Sequence, residues 1–363
     1  LPNVSITELR RVLGDDAKEP RYVQTVHGRG FRFIAAIQNG GGSTVDGARA
    51  SPLFVGRERE LDVLESVLVG DSDCRIGFIS GEAGIGKTSL LNELLRRGAS
   101  SRGVVGRGQC VAHFGEVYAY LALLGALEDM CRRHDQVLPL LRTVAPTWLT
   151  RLPGLVSIEE HEALRRQGKE WVPSAAIDEL IALQDAVGGV VWAIEDLHWA
   201  DHATVEALGV LIERAPGPTC CVIATYRLAE AIVGAHPLVR LRRELRRRQR
   251  CREVLLEGLN GADVTEYLAL RHPGSRFPEW LPERLLTRTG GNPFFLTSTV
   301  DHLTGAGALD LDHGDGSSDW HHLAPLIDEI PQTLRDSLRE QIGEIEPAER
   351  RLLDAASIGG LKI

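Results

Sequence analysis

Between residues 52 and 256 the chain alternates short apolar runs with stretches in which apolar residues recur every three or four positions. Short continuous runs suit buried strands, and the three-to-four spacing suits helices packed against them. Residues 76–79 form one such run, and Leu90, Leu91, Leu94 and Leu95 behind it repeat at helical spacing. Residues 190–194 form a second run that ends in two carboxylates, Glu195 and Asp196, with a helix expected from about Ala200. A third begins at Cys220 and ends in Thr225, Tyr226 and Arg227. Such alternation predicts an α/β domain with a parallel sheet and helices on both faces. Residues 257–310 read as helical throughout, and 311–328 as a loop. From Glu329 a new helical segment begins, with Leu334, Leu338, Ile342, Ile345, Leu352 and Leu353.

Residues 1–37 are a separate block. Residues 4–13 read as a helix closed by Gly14. Residues 22–26 and 31–34 read as short strands joined by the Gly-rich turn His27-Gly28-Arg29-Gly30. Residues 38–51, with Gly40, Gly41, Gly42 and Ser43, read as a flexible linker.

Composition narrows the classes. The 363 residues suffice for two or three domains, and 43% hydrophobic content allows a sizeable core. A formal charge of −9 excludes a protein that coats nucleic acid with its whole surface, but not a small basic module on an acidic body. Residues 1–37 fit such a module, with Arg10, Arg11, Lys18, Arg21, Arg29 and Arg32 against Glu8, Asp15, Asp16 and Glu19. None of the six cysteines falls in a CxxC pair, so they read as buried, reduced thiols in a cytoplasmic protein. No apolar stretch reaches the roughly 18 residues of a membrane span, and no leader is legible. The start at Leu1, with Met130 as the sole methionine, reads as a fragment of a longer protein. Eight arginines between Leu238 and Arg252 invite a nucleic-acid reading, but Leu238, Leu241 and Leu245 mark one helical face, and a solvated helix accounts for them better.

The chemistry concentrates at residues 81–88, Gly-Glu-Ala-Gly-Ile-Gly-Lys-Thr, which fit G-x-x-x-x-G-K-[ST] between an apolar run and a helix. Gly81, Gly84 and Gly86 let the backbone turn so that the N–H groups of Glu82, Ala83, Ile85, Lys87, Thr88 and Ser89 can surround phosphate oxygens. The helix N-terminus adds its positive end. Lys87 offers a charge to the outer phosphates, and Thr88 a hydroxyl to Mg²⁺. Glu195 and Asp196, at the end of a buried strand, are placed to hold the metal shell and to orient or deprotonate water. Thr225 and Arg227 could face a terminal phosphate. His198 belongs to the packing or coupling of the acidic loop rather than to a metal.

Five motifs in order resemble the AAA-type, STAND-class signalling ATPases: Phe54-Val55-Gly56-Arg57-Glu58, the loop at 81–88, Ile194-Glu195-Asp196-Leu197-His198-Trp199-Ala200-Asp201, Ala224-Thr225-Tyr226-Arg227, and Gly290-Gly291-Asn292-Pro293-Phe294-Phe295-Leu296. The resemblance spans about residues 52–310. It implies a P-loop NTPase sheet followed by a helical lid over 257–310 and, over 329–363, the start of a following helical or winged-helix domain, and a slow ATPase that acts as a switch between ATP and ADP forms. It places Arg57 near the nucleotide, Arg227 at the terminal phosphate and Pro293 on the base side, and it implies assembly into a homo-oligomer on ATP. Many members carry two aspartates where this chain has Glu195-Asp196, so the split between metal binding and water activation stays open.

Residues 1–37 resemble the C-terminal half of an OmpR/PhoB-type winged helix, the recognition helix and the wing. That resemblance implies promoter DNA as partner of the parent protein in transcription regulation, with Thr7, Arg10 and Arg11 at the groove or backbone and Arg29 at the wing tip. Two readings follow: an ATP-gated transcriptional regulator, or a signalling ATPase scaffold that acts through protein partners with no DNA binding by these residues.

Overall fold

The computed structural model describes residues 23–26, 30–33, 53–69, 74–98, 103–111, 119–166, 171–214, 220–275, 277–309, 323–329, 331, 334–335 and 339. Two units divide the chain, Leu1–Pro52 and Leu53–Ile363. In the first, β1 (Val23–Val26) and β2 (Gly30–Phe33) pair antiparallel, Val26 opposite Gly30 and Val23 opposite Phe33, as the hairpin pattern predicts. Thr7, Arg10, Arg11, Arg29, the 38–51 stretch and most of 329–363 lie outside the described residues.

The second unit is built on five parallel strands: β3 (Ile76–Gly81), β4 (Val104–Gln109), β5 (Val190–Glu195), β6 (Cys220–Tyr226) and β7 (Cys251–Leu256), in the order β4-β5-β6-β3-β7. Both faces are covered, which is why β5 and β6 are continuous apolar runs up to Ile194 and Ala224. Alternate residues serve opposite layers. Val190, Trp192 and Ile194 point into one core with Ile76, Phe78, Val222 and Ala224. Val191 and Ala193 point into the other with Ile79, Cys221 and Ile223. That second layer is closed by α1 (Glu58–Val69) and α2 (Lys87–Gly98) through Leu61, Leu64, Leu90, Leu91 and Leu94.

The first layer is larger than the sequence pattern implies. Between β4 and β5 the chain forms α3 (Leu121–Arg133), α4 (Val137–Val144), α5 (Pro146–Leu149), α6 (Ile158–Arg166) and α7 (Pro173–Ala186). Its centre is Trp148, fully buried, whose indole N–H donates to the Ala176 carbonyl at 2.8 Å. Tyr120 and Trp171 meet it edge to face at centroid distances of 5.6 and 5.2 Å. Helix α3 lies directly on β4: a Cβ on Gly108 would stand 1.9 Å from the Ala122 carbonyl oxygen. Further helices, α8 (His202–Arg214), α9 (Leu228–Val233) and α10 (Pro237–Arg247), precede β7.

Past β7 a third core forms among α11 (Gly261–Arg271), α12 (Trp280–Thr289) and α13 (Pro293–Gly305), with Val264, Leu268, Leu285, Leu296 and Val300 inside it. Val55 contributes from the other end of the unit, so the Val-Gly-Arg segment packs with this lid. One expectation is corrected here. Within the stretch read as loop, Leu323–Asp328 is a helix, α14, and Leu323 and Ile327 are buried in the lid core. Six residues are too few to show a helical period, and Pro325 breaks the reading further. The arginine-rich stretch is a helix as expected: Leu238 and Leu245 are buried, Arg242 pairs with Glu253, and Arg248 pairs with Glu213 and Glu244. None of the six cysteines forms a disulfide, and five of them are buried. Among the described residues no helix is long and apolar enough to cross a membrane.

Candidate functional site

The loop at 81–88 follows the C-terminal end of β3, flanked by β6 on one side and β7 on the other. Gly81, Gly84 and Gly86 take φ of 153°, 72° and 98°, left-handed values that favour glycine. Ile85 is buried in the α1–α2 core and anchors the loop's middle. Gly86 accepts the Leu90 N–H at 2.9 Å, so α2 starts at Lys87 and the amides of Lys87, Thr88 and Ser89 lack partners from the preceding turn. A ring of N–H donors at a helix N-terminus is an anion cradle.

Lys87 is 8% exposed, and its ammonium donates to the Gly81 and Glu82 carbonyls at 3.0 and 2.7 Å. Burial first, and the Arg227 guanidinium second, hold its pKa below the ordinary lysine value. Thr88 Oγ1 donates to Glu195 Oε2 at 2.6 Å, which joins the start of α2 to the end of β5. Glu195 Oε1 accepts from Arg107 Nη2 at 2.9 Å. Arg107 lies on β4, opposite Ala193, and escaped the sequence reading because a single arginine between glycines carries no motif.

Asp196 has left turned backbone, φ 54°, at the point where β5 gives way to a short 3₁₀ turn, Leu197–Trp199. Its N–H donates to Thr225 Oγ1 at 3.0 Å. Thr225 is therefore a buried post under the acidic turn, 1% exposed, rather than a group open to a phosphate. Arg227 stands at the end of β6 and is one of the charges felt by Lys87, as is Asp196. Loop, acidic pair and strand-end arginine therefore lie together at the ends of β3, β5 and β6.

The lid reaches the same loop. Asn292 Nδ2 donates to the Ala83 carbonyl at 2.9 Å, and the Phe294 N–H donates to the Gly84 carbonyl at 3.2 Å. A Cβ on Gly84 would stand 2.7 Å from Phe294 Cβ, so the glycine also makes room for α13. Pro293 is close to Gly86, its Cγ 3.8 Å from where a Cβ would be. Arg57 is engaged elsewhere. Its guanidinium donates to Glu60 at 3.2 Å and to the Glu257 carbonyl, just past β7 where the chain turns into the lid. Arg57 is thus a tie at the junction of sheet and lid.

The oxygen donors suit a hard divalent cation. Thr88 hydroxyl and Glu195 carboxylate share one corner beside the anion cradle, and Mg²⁺ takes one or two such protein oxygens together with phosphate and water. Among the described residues no group of three His, Cys, Asp or Glu side chains is placed to hold a metal by itself.

Residues 53–223 match the AAA ATPase domain family. The fold is similar to that of a Walker-type ATPase of Pyrococcus abyssi, at 16% identity and a TM-score of 0.53 over 85% of each chain. Weaker likenesses are to the ORC2 protein of Aeropyrum pernix in its ADPNP-ADP complexes, at 15% identity and a TM-score of 0.44 over 78% of this chain and 69% of that one, and to Cdc6p of Pyrobaculum aerophilum, at 12% and 0.45 over 72% and 65%. A search of curated proteins found no match. The family match over residues 53–223 and the parallel sheet with its loop at the end of β3 agree on a P-loop NTPase fold similar to that of the AAA ATPase domain family.

Proposed function

We propose that this chain is the ATP-operated switch of a cytoplasmic, STAND-type transcriptional regulator. The observation that carries the switch is the pair of hydrogen bonds from the lid to the phosphate loop itself, Asn292 to Ala83 and Phe294 to Gly84. Whatever the loop binds must be accommodated by the lid, so occupancy at 81–88 is transmitted to the segment that follows.

In this reading the amides of residues 82–89 wrap the phosphates of ATP or ADP, and the Lys87 ammonium leaves the Gly81 and Glu82 carbonyls for the outer phosphates. Thr88 and Glu195 hold Mg²⁺, which when bound neutralises charge across the terminal phosphates. Arg107 holds Glu195 in place through their ion pair. Asp196, whose side chain is not tied to Thr88, orients and deprotonates the attacking water. Arg227 reads the terminal phosphate. Arg57 and Pro293 brace the junction of sheet and lid. Hydrolysis is slow and resets the switch.

The DNA-binding arm of the proposal rests on the sequence of the 1–37 block, with its basic residues Arg10, Arg11 and Arg29 and with Thr7, and on the antiparallel pairing of β1 with β2. Promoter DNA is the partner of the parent winged helix, and ATP-driven homo-oligomerisation is the output. The test is titration of the full-length protein with MgATP and MgADP, measuring mass by light scattering and promoter binding by fluorescence anisotropy. Assembly and tighter DNA binding on ATP but not ADP support the switch. Equal mass and equal DNA affinity with both nucleotides refute it.

A further inference from the structure

Arg227, at the end of β6, is already held. Its Nη1 donates to Glu230 Oε1 at 2.6 Å, from the residue three positions on in α9. The other oxygen of Glu230, Oε2, lies 3.0 Å from His198 Nε2, close but poorly aligned for a hydrogen bond. The Arg227 N–H donates to His198 Nδ1 at 3.3 Å. A ring whose Nδ1 accepts carries its proton on Nε2, so His198 turns an N–H toward Glu230. The His198 side chain is wholly buried, and burial holds its pKa below the ordinary value, which fits a neutral ring. Arg227 Cζ sits 5.5 Å from the Trp199 ring centroid, and its Nε is buried without a partner. Both Arg227 and Glu230 act on the Lys87 ammonium, so this cluster borders the phosphate loop.

We propose that Glu230 is a positioning residue that competes with a terminal phosphate for Arg227, and so sets the preference of the site between nucleoside triphosphate and diphosphate. The inference rests on the reading of Arg227 as the group facing the terminal phosphate. Carboxylate and phosphate are alternative acceptors for one guanidinium edge, and Nη1 cannot serve both in full. A triphosphate must draw Arg227 from Glu230. A diphosphate makes no such demand. The exchange leaves neither partner stranded, because His198 keeps an N–H beside Glu230 after Arg227 turns away. Its size is small, because the Arg227 and Glu230 side chains are 29% and 41% exposed. Ion pairs of that exposure shift equilibria by about two- to five-fold.

The test measures MgATP and MgADP dissociation constants by competition against a fluorescent ADP analogue, on full-length protein carrying Glu230→Gln, Glu230→Ala, Arg227→Ala, or Arg227→Ala with Glu230→Gln. Both Glu230 variants should bind ATP about two- to five-fold more tightly with ADP unchanged. The double variant should match Arg227→Ala alone, since the effect of Glu230 passes through that side chain. A thermal melt checks that each variant folds, and Glu230→Gln, which conserves shape at a part-exposed position, is the milder one. If Arg227→Ala lowers the preference for ATP but neither Glu230 variant raises it, or ATP and ADP shift together, the role of Glu230 is overturned. If Arg227→Ala leaves the ratio of ATP to ADP affinity unchanged, the reading of Arg227 fails and this inference with it.

Discussion

Asn292 serves two partners at once, and two substitutions separate them. Its Oδ1 accepts the Phe294 N–H at 3.0 Å as the N-cap of α13, and its Nδ2 donates to the Ala83 carbonyl at 2.9 Å. The residue is 8% exposed, so water replaces neither bond easily. Asn292→Ala removes the cap, about 1 kcal/mol, and the link to the loop, about another 1 kcal/mol net. Asn292→Asp keeps an oxygen for Phe294 and gains from the helix dipole, but turns its second oxygen on the Ala83 carbonyl and so loses only the link. Hydrogen–deuterium exchange read by mass spectrometry over residues 81–88 and 293–305 distinguishes them. With Asn292→Asp, exchange in the loop should rise about five-fold, the equivalent of about 1 kcal/mol, while α13 beyond its first turn keeps its protection. With Asn292→Ala both segments should loosen. Loop exchange that matches the unsubstituted protein in Asn292→Asp would refute the argument that the lid is latched to the loop through this amide.

Lys87→Ala removes the one ammonium at the loop and should weaken MgATP binding by about 10–100-fold or more in calorimetry, given about 1.5–3 kcal/mol per charged hydrogen bond; affinity within two-fold would refute its role. Asp196→Asn, whose left-handed backbone asparagine tolerates, should bind ATP within a few-fold but lower phosphate release by about 10²–10⁴, the usual contribution of a general base. Burial pushes the Cys110 and Cys220 thiols from 9.0 up to about 12. Their folded values exceed the unfolded one, so the stability they add is complete below about pH 9 and lost as pH rises toward 12; urea midpoints followed by circular dichroism should fall across that window, and a flat profile would contradict the assignment. Gly108→Ala drives a Cβ to 1.9 Å from the Ala122 carbonyl oxygen and should cost about 1–3 kcal/mol or more, read as a lowered thermal midpoint.

Those substitutions fall on both sides of what the sequence discloses. Strands β3, β5 and β6 are legible because each is buried on both faces and so reads as an apolar run until its C-terminal end, where polar residues begin. The loop at 81–88 is legible because phosphate binding needs glycines and a lysine at fixed offsets. β4 is illegible for the opposite reason. Its Gly106 and Gly108 read as turn residues, yet they are required because α3 lies against the strand, with Met130 and Ala122 where side chains would be. β7 hides behind the arginine run, since a strand that starts Cys-Arg-Glu looks like the tail of that polar helix. Helices α3 to α7 carry apolar residues at helical spacing, but nothing local says that they fill the connection between two neighbouring strands. Asn292 stood inside a motif read for its proline. Its contact with Ala83 spans 209 residues of chain, a separation that no local pattern records.

The division of labour between Glu195 and Asp196 depends on that same kind of distant contact. Adjacent carboxylates at a strand end are equivalent in a sequence, and either could sit beside the metal. In the fold they are not equivalent, because the strand ends between them. Glu195 is still on the ladder of β5, and each of its oxygens has a partner from a different element: Thr88 from the start of α2, Arg107 from β4. A carboxylate held from both sides is fixed in position, which suits the part of metal ligand proposed for it. Asp196 has left the strand, and its backbone, fixed by Thr225 and the left-handed turn, aims a side chain that is tied to neither Thr88 nor Arg107. A group that must take a proton and give it up again needs that freedom. Arg107→Ala therefore tests the division: it should release Glu195 and weaken Mg²⁺-dependent ATP binding while ADP binding without Mg²⁺ stays unchanged. Loss of nucleotide binding in both conditions would show that Arg107 serves the fold of the loop rather than the orientation of Glu195.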